Sequence, residues 1–344
     1  MRKPFNKALV TGAAGFIGAF LVKRLLETTD AKIVGLDSVN SYYDPGIKED
    51  RLRMLREADP EGRFAFVRGD LCDAALVERL FAENGFDCVV NLAAQAGVRY
   101  SIDNPRAYVD SNLVGFFNVL EACRHHPVGH LVFASSSSVY GGNEKVPFSE
   151  SDPVDHPVSL YAATKKANEL MAHAYSKLYG IPATGLRFFT VYGPMGRPDM
   201  AYFKFADTLR AGGTIKIYNM GDCRRDFTYI DDIVEGVARV MARPPEDCGT
   251  GARYKVYNIG NSHPVQLLDF VDALQRCLVG EGVLPEGFDF EAHRELAPMQ
   301  PGDVVATYAD TSELERDFGF RPSTPLEAGL REFARWYRGY YGID

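Results

Sequence analysis

Cysteine is scarce in this chain and never paired as C-x-x-C: Cys72, Cys88, Cys123, Cys223, Cys248 and Cys277 stand far apart. Such spacing builds neither a zinc site nor a disulfide framework, so reduced core or surface thiols are expected. Histidine is sparse too. His125, His126, His130, His156, His173, His263 and His293 show no metal-ligand spacing with carboxylates or cysteines, and no metal is assigned. No apolar run is long enough to cross a bilayer and no signal peptide is read, so a soluble, cytoplasmic protein without a membrane partner is expected. Basic blocks are also missing. The 38 Lys and Arg against 46 Asp and Glu leave a formal charge of −8 with both signs interspersed, which argues against a nucleic-acid partner.

What remains is an ordinary globular balance, 46% hydrophobic and 24% charged over 344 residues, enough for one large or two medium domains. In the first half, short apolar runs alternate with longer amphipathic ones. KALVTG, KIVGLD, FAFVRGD, DCVVNLAA and HLVFASS read as strands, while GAFLVKRLLE, AALVERLFAEN, Val109 to Cys123 and Ala162 to Tyr179 read as helices. Repeated βα units predict an α/β protein with a Rossmann-type, doubly wound parallel sheet. From Phe188 onward, turns such as YGPMGRPDM break the regularity, predicting a smaller C-terminal α/β domain at the carboxyl edge of those strands.

The first chemical motif is TGAAGFIG, in which Gly12, Gly15 and Gly18 follow a strand and open a helix. A tight turn needs the first glycine, close approach of a pyrophosphate the second, and helix–strand packing the third. Asp37 ends the next strand 19 residues after Gly18, where a carboxylate accepts hydrogen bonds from a ribose 2′-hydroxyl and repels a 2′-phosphate. NAD is therefore expected rather than NADP. The second motif is SLYAATKKANEL, which puts Tyr161 and Lys165 at i, i+4 on one helix face. By spacing alone this is an ordinary helical turn. Beside an oxidised nicotinamide, however, a lysine favours the phenolate and allows proton transfer near neutral pH.

TGAAGFIG, Asp37, NLAAQAGV, SSSSVYGG and YAATK, in this order, resemble the extended short-chain dehydrogenase/reductase family. More narrowly, AAQAGVRYSIDNPRAYVDSNLVG, DHPVSLYAATKKANELMAH, LRFFTVYGPMGRPDMA and RRDFTYIDDIVEG resemble UDP-glucuronate 4-epimerases. The resemblance implies an isomerase of nucleotide-sugar metabolism that interconverts UDP-glucuronate and UDP-galacturonate through a transient 4-keto sugar, with the C4 hydride passing to bound NAD and back. It implies residues 1–186, plus about 230–258, for NAD, and 187–229 with 259–344 for the UDP-sugar. Tyr161 is the implied base, Lys165 its partner and ribose holder, and Ser136 the hydroxyl bonding the sugar 4-hydroxyl. Ala14, Phe16, Ile17, Asp70, Leu71, Leu92, Ala93, Ala94, Gln95 and Asn112 join the glycines and Asp37 as implied cofactor contacts.

Ser137 and Ser138 stand where 4,6-dehydratases of the same family carry Asp-Glu, and where UDP-glucuronate decarboxylases typically carry a glutamate at the second position. A 4-keto uronate is a β-keto acid that loses CO2 readily, and neutral hydroxyls can hold its carboxylate without adding a like charge. The two serines are therefore read as carboxylate holders, against passive loop hydroxyls. Thr190, in the position of an asparagine of UDP-galactose 4-epimerases, is a second contact. Arg99, Arg197 and Lys204 are candidate substrate cations, against simple surface solvation. Arg225 matches an arginine that grips the diphosphate, with Arg224 as its alternative, and a later family arginine falls near Met299. Two other reactions on this scaffold, neutral UDP-glucose/UDP-galactose 4-epimerisation and UDP-glucuronate decarboxylation, remain as alternatives. A non-catalytic NAD-binding protein is a more remote one. A homodimer is implied through Val109 to Cys123 and Lys165 to Tyr179, with Phe116, Phe117, Leu170 and Met171 as contacts.

Overall fold

In a computed structural model, which describes residues 5–247, 249–299 and 305–343, the first half folds as repeated βα units. Its strands are β1 (Lys7–Thr11), β2 (Lys32–Asp37), β3 (Phe64–Arg68), β4 (Cys88–Asn91), β5 (His130–Ser136) and β6 (Ala183–Phe188). The chain continues through β7 (Thr190–Tyr192), β8 (Ile215–Ile217), β9 (Arg224–Tyr229), β10 (Tyr254–Ile259), β11 (Pro264–Gln266) and β12 (Arg294–Leu296). The main sheet has seven parallel strands in the order β10-β6-β5-β4-β1-β2-β3. Strand order reverses between β1 and β4, the place where a doubly wound sheet opens its ligand crevice.

Side-chain alternation explains why these strands are apolar almost throughout. Val10, Val90 and Val132 face one core with the helices Phe16–Thr28 and Ile230–Met241. Their neighbours Leu9, Val89 and Leu131 face another, with Ala74–Asn84 and Gly115–His125. Both sheet faces are covered, so neither set can be polar. A separate core of Tyr192, Phe203, Phe227, Phe270, Leu274 and Phe333 lies beneath the small sheet β11-β9-β7, while β8 and β12 form a two-stranded ribbon.

Two helical expectations change. The stretch from Val109 to Cys123 is not one helix: a six-residue π segment covers Val109–Val114, and a regular helix spans Gly115–His125. The helix expected from Ala162 begins at Leu160, because the Ser159 hydroxyl accepts from the Ala162 amide at 3.1 Å and caps it. It ends at Gly180, whose φ of 71° is left-handed. Among the described residues Cys72, Cys88, Cys123, Cys223 and Cys277 are free; Cys248 lies outside them. No described helix is long and apolar enough to cross a membrane.

Candidate active site

A cleft of about 490 Å³ runs along the carboxyl ends of the main strands. At one end lie Gly12, Gly15, Phe16, Ile17, Gly18, Asp37, Asp70, Leu71, Leu92, Ala93, Ala94 and Gln95. Gly12 has a φ of 70°, and a Cβ there would stand 2.8 Å from the Ala93 amide nitrogen. A Cβ on Gly18 would come within 2.0 Å of the Gly12 carbonyl oxygen, so each glycine is required for a different reason. Gly15 begins the helix Phe16–Thr28 with no side-chain cap, which leaves its first amides for an anion. The Asp37 carboxylate accepts from the Ala14 amide at 3.1 Å and the Val39 amide at 2.8 Å. Fixed in this way, it lines the cleft with lone pairs left for a hydroxyl pair. A glycine cradle, an uncapped helix start and an anchored carboxylate together fit a dinucleotide with a free 2′-hydroxyl.

At the other end β5 delivers the serine row, and the four hydroxyls do different work. Ser135 points backward and donates to Glu169 Oε1 at 2.7 Å. Glu169 in turn holds Arg187 through two bonds of 2.8 and 2.9 Å. Burial opposes its ionisation, yet Arg187 keeps the Glu169 carboxyl below the usual range. This buried pair anchors the strand end behind the cleft. Ser136 faces forward, accepting from the Ser138 amide at 3.2 Å and the Ser138 hydroxyl at 2.8 Å. Ser137 lines the cleft and gives its hydroxyl to no described residue. Ser138 has already placed its proton on Ser136, so it must rotate before it can donate to a ligand.

Tyr161 and Lys165 line the same cleft from the helix Leu160–Tyr179. Burial pushes the Tyr161 phenol above its ordinary range, while a hydrogen bond with Ser136 and the charge of Arg197 pull it down. Lys165 is 3% exposed and donates to the Ala134 carbonyl at 2.9 Å; burial lowers its pKa to about 8. Tyr108 packs edge-on against the Tyr161 ring at 6.0 Å, and its own hydroxyl donates to the Ala96 and Gly97 carbonyls. Sequence reasoning missed Tyr108, whose signal is no more than an aromatic in a short helical turn. It also missed Ser38, Asn40, Tyr42, Tyr43 and Lys48, which line the cofactor end.

Thr190, Arg197 and Arg225 complete the cleft. Arg197 is committed in part: it meets Asp199 through bonds of 2.9 and 2.5 Å, and Asp199 also accepts from Tyr42 at 3.2 Å. The Arg225 guanidinium donates to the Arg224 and Val305 carbonyls at 3.0 and 3.1 Å, whereas Arg224 is not part of the lining. Four expected contacts stand away from the lining. Asn112 is 1% exposed and accepts from the Gln95 amide at 2.8 Å. Its own amide donates to Thr164 at 3.0 Å, so it ties the loop after β4 to the helix Leu160–Tyr179. Ala14 contributes its backbone to Asp37 and Arg51 instead. Lys204 is exposed, and Arg99 is exposed with its guanidinium 5.1 Å from the Tyr218 ring. Met299 is exposed and outside the cleft. No group of three or more His, Cys, Asp or Glu among the described residues is arranged to hold a metal.

Comparison with known proteins agrees with this geometry. UDP-glucuronate 4-epimerase 3 of Arabidopsis thaliana is 48% identical over 351 residues, covering 99% of this chain and 78% of the relative. A crystal structure of UDP-glucuronic acid 4-epimerase from Bacillus cereus, in complex with UDP-glucuronic acid and NAD, superposes with a TM-score of 0.85. Its identity is 31%, with 97% of this chain and 100% of that chain covered. The dTDP-glucose 4,6-dehydratase DesIV from Streptomyces venezuelae, with NAD and TYD bound, gives the same TM-score at 30% identity, with 98% of each chain covered. The fold is thus shared by two reaction types, and side chains must separate them. The profile of the NAD dependent epimerase/dehydratase family matches residues 8–260, and the chain belongs to that family.

Proposed function

We propose that the protein is a UDP-glucuronate 4-epimerase, interconverting UDP-glucuronate and UDP-galacturonate without loss of the carboxylate. The observation that carries this reading is the makeup of the sugar end of the cleft. The only carboxylates lining the cleft among the described residues are Asp37 and Asp70, both at the cofactor end. Around Tyr161 stand Ser136, Ser137, Ser138 and Thr190, which offer hydroxyls and no acid for dehydration or proton relay.

Tyr161 takes the proton of the sugar 4-hydroxyl and returns it, with Ser136 aligning that hydroxyl. NAD, held by the glycine cradle and Asp37, would supply a hydride acceptor and donor for C4 and, oxidised, a positive charge near the phenol. Lys165, protonated below about pH 8, adds a second cation and reaches the ribose side. Ser137 and Thr190 hold the uronate carboxylate, with Ser138 joining when its hydroxyl turns. Arg225 takes the diphosphate, as a planar fork suits two oxygens. Residues 1–186, with about 230–258, serve NAD, and 187–229 with 259–344 serve the UDP-sugar, a division supported by the two separate cores. A homodimer in a reducing cytoplasm fits the free thiols and the exposed apolar helix faces.

The test is incubation with UDP-glucuronate followed by proton NMR. UDP-galacturonate alone is expected. UDP-xylose or its 4-keto precursor would overturn the carboxylate-retaining reading, and no product at all would overturn the substrate.

A further inference from the structure

Among the described residues Arg51 is the largest charged side chain sealed from solvent, with 0% exposure, and no step proposed above uses it. It sits on the helix Pro45–Glu57, between the two halves of the cleft. All its donor groups are engaged, and none meets a carboxylate. Nη1 donates to the Ala14 carbonyl at 3.0 Å and to the Tyr43 hydroxyl at 2.8 Å. Nε and Nη2 reach the Met195 carbonyl at 3.0 and 2.6 Å, and Nη2 reaches the Gly196 carbonyl at 3.0 Å. Burying a guanidinium with no carboxylate partner remains costly even when oxygen dipoles satisfy its donors, so its retention calls for a role that neutral packing does not supply.

The two carbonyl sets belong to opposite ends of the site. Ala14 lies within the glycine cradle, and its amide is the one held by Asp37. Met195 and Gly196 directly precede Arg197. In that loop Met195 has a left-handed φ of 51°, and Gly196 packs too closely for any side chain, since a Cβ there would stand 1.6 Å from the Tyr202 hydroxyl oxygen. One rigid fork therefore ties the cofactor cradle to the turn that delivers a sugar-side cation. A chain of contacts runs Asp37, Ala14, Arg51, Met195 and Gly196, Arg197.

Resting on the epimerase reading above, we propose that Arg51 is a positioning residue through which the cofactor and the sugar nucleotide stabilise each other's binding. Ordering the cradle around NAD fixes the Ala14 carbonyl, which fixes the fork, which holds the 195–197 turn in its binding geometry; the linkage is reciprocal by thermodynamic necessity. Lysine cannot replace this fork, since it keeps the charge but presents a single ammonium.

The experiment follows release of bound NAD from the holoenzyme by exchange with isotopically labelled NAD, with and without saturating UDP-glucuronate. In the unaltered protein the sugar nucleotide is expected to slow release at least about fivefold, and in Arg51→Lys the ratio is expected to fall below about twofold. A purely structural role would speed release equally in both arms and leave the ratio unchanged. An unaltered protein without slowing, or an Arg51→Lys protein with the full ratio, overturns the proposal. A second measurement covers an Arg51→Lys chain that fails to fold. In the unaltered full chain, adding NAD alone should slow amide exchange in peptides covering residues 192–200, and unchanged exchange overturns the proposal. Calorimetric binding of UDP-glucuronate is measured in parallel. Its absence defeats the substrate reading, while the amide exchange still decides the role of Arg51.

Discussion

At Tyr161 two opposed influences meet on one phenol. Burial raises its pKa, and the Ser136 hydrogen bond and the Arg197 charge act against that rise. On the proposed reading, a cation supplied with the cofactor would tip the balance toward the phenolate, and proton transfer would depend on this one oxygen. Tyr161→Phe is expected to lower turnover by about 10³-fold or more while NAD remains bound, checked by product NMR and by NAD released on denaturation. Turnover within tenfold of the parent would remove Tyr161 from the base role. Ser138 offers the complementary experiment. Its proton now rests on Ser136, and glutamate there would break that contact and place a second carboxylate beside the uronate. Ser138→Glu is expected to release CO2 and a pentose nucleotide at several times the parent's rate. No leakage above the parent would count against retention of the carboxylate by neutral hydroxyls.

At the scale of the element, β5 carries the first two serines of the row and a buried histidine. His130 opens the strand, 2% exposed, bonded to the Thr184 hydroxyl at 2.8 Å and the Met241 carbonyl at 3.3 Å. Burial drives its pKa down to about 4 from an ordinary 6.5. Between those values the unfolded chain binds a proton that the folded chain refuses. The stabilising contribution is therefore complete above about pH 6.5 and is lost as pH falls toward about 4, some ~3 kcal/mol across the window. Urea midpoints measured from about pH 7.5 down to about pH 5 should fall more steeply for the parent than for His130→Gln. Parallel slopes would show that His130 does not titrate this way.

The same scale shows which parts of the molecule were legible in the sequence. β1, β2, β4 and β5 stood out because both sheet faces are covered and their side chains must be apolar. Tyr161 and Lys165 share one helix face, yet that spacing alone reads as an ordinary turn, and the pair is marked only by its company with the glycine motif, Asp37 and the family resemblance. The helix Pro45–Glu57 did not stand out, because its inward face spends two positions on Lys48 and Arg51 beside Ile47, Leu52 and Leu55, and buried cations erase the apolar period. The resemblance puts Asn112 among the cofactor contacts, and nothing in the sequence shows that its amide is spent on Gln95 and Thr164. Ser135 carries no role in the sequence reading, since nothing local shows that it turns toward Glu169. Local pattern reports the face of an element, whereas such partners lie tens of residues away.

At the scale of the whole molecule the question is what covers the outer helices. Of the four contacts expected for a dimer, Phe116 is 1% exposed and belongs to the subunit's own core, and Met171 packs against that same core. Phe117 and Leu170 face outward, 44% and 60% exposed, together with Val114 and Leu178 at 42% and 70%. These side chains lie on the Val109–Val114 and Gly115–His125 segments and on the Leu160–Tyr179 helix, which also carries Tyr161 and Lys165. Large apolar side chains in open water on neighbouring helices suit an association surface, and the homodimer proposed above would use this one. A two-fold pairing through it would bury each patch against its own copy. The double substitution Phe117→Glu with Leu170→Glu places four carboxylates in such an interface and alters neither core nor cleft. Sedimentation velocity should then show a monomer where the parent sediments as a dimer, with the folded signal in circular dichroism unchanged. A variant that still sediments as the parent does would place the subunit contact elsewhere. Because the catalytic helix forms one side of this patch, the monomer should also turn over more slowly, by about two- to tenfold, as that helix loses its outer support.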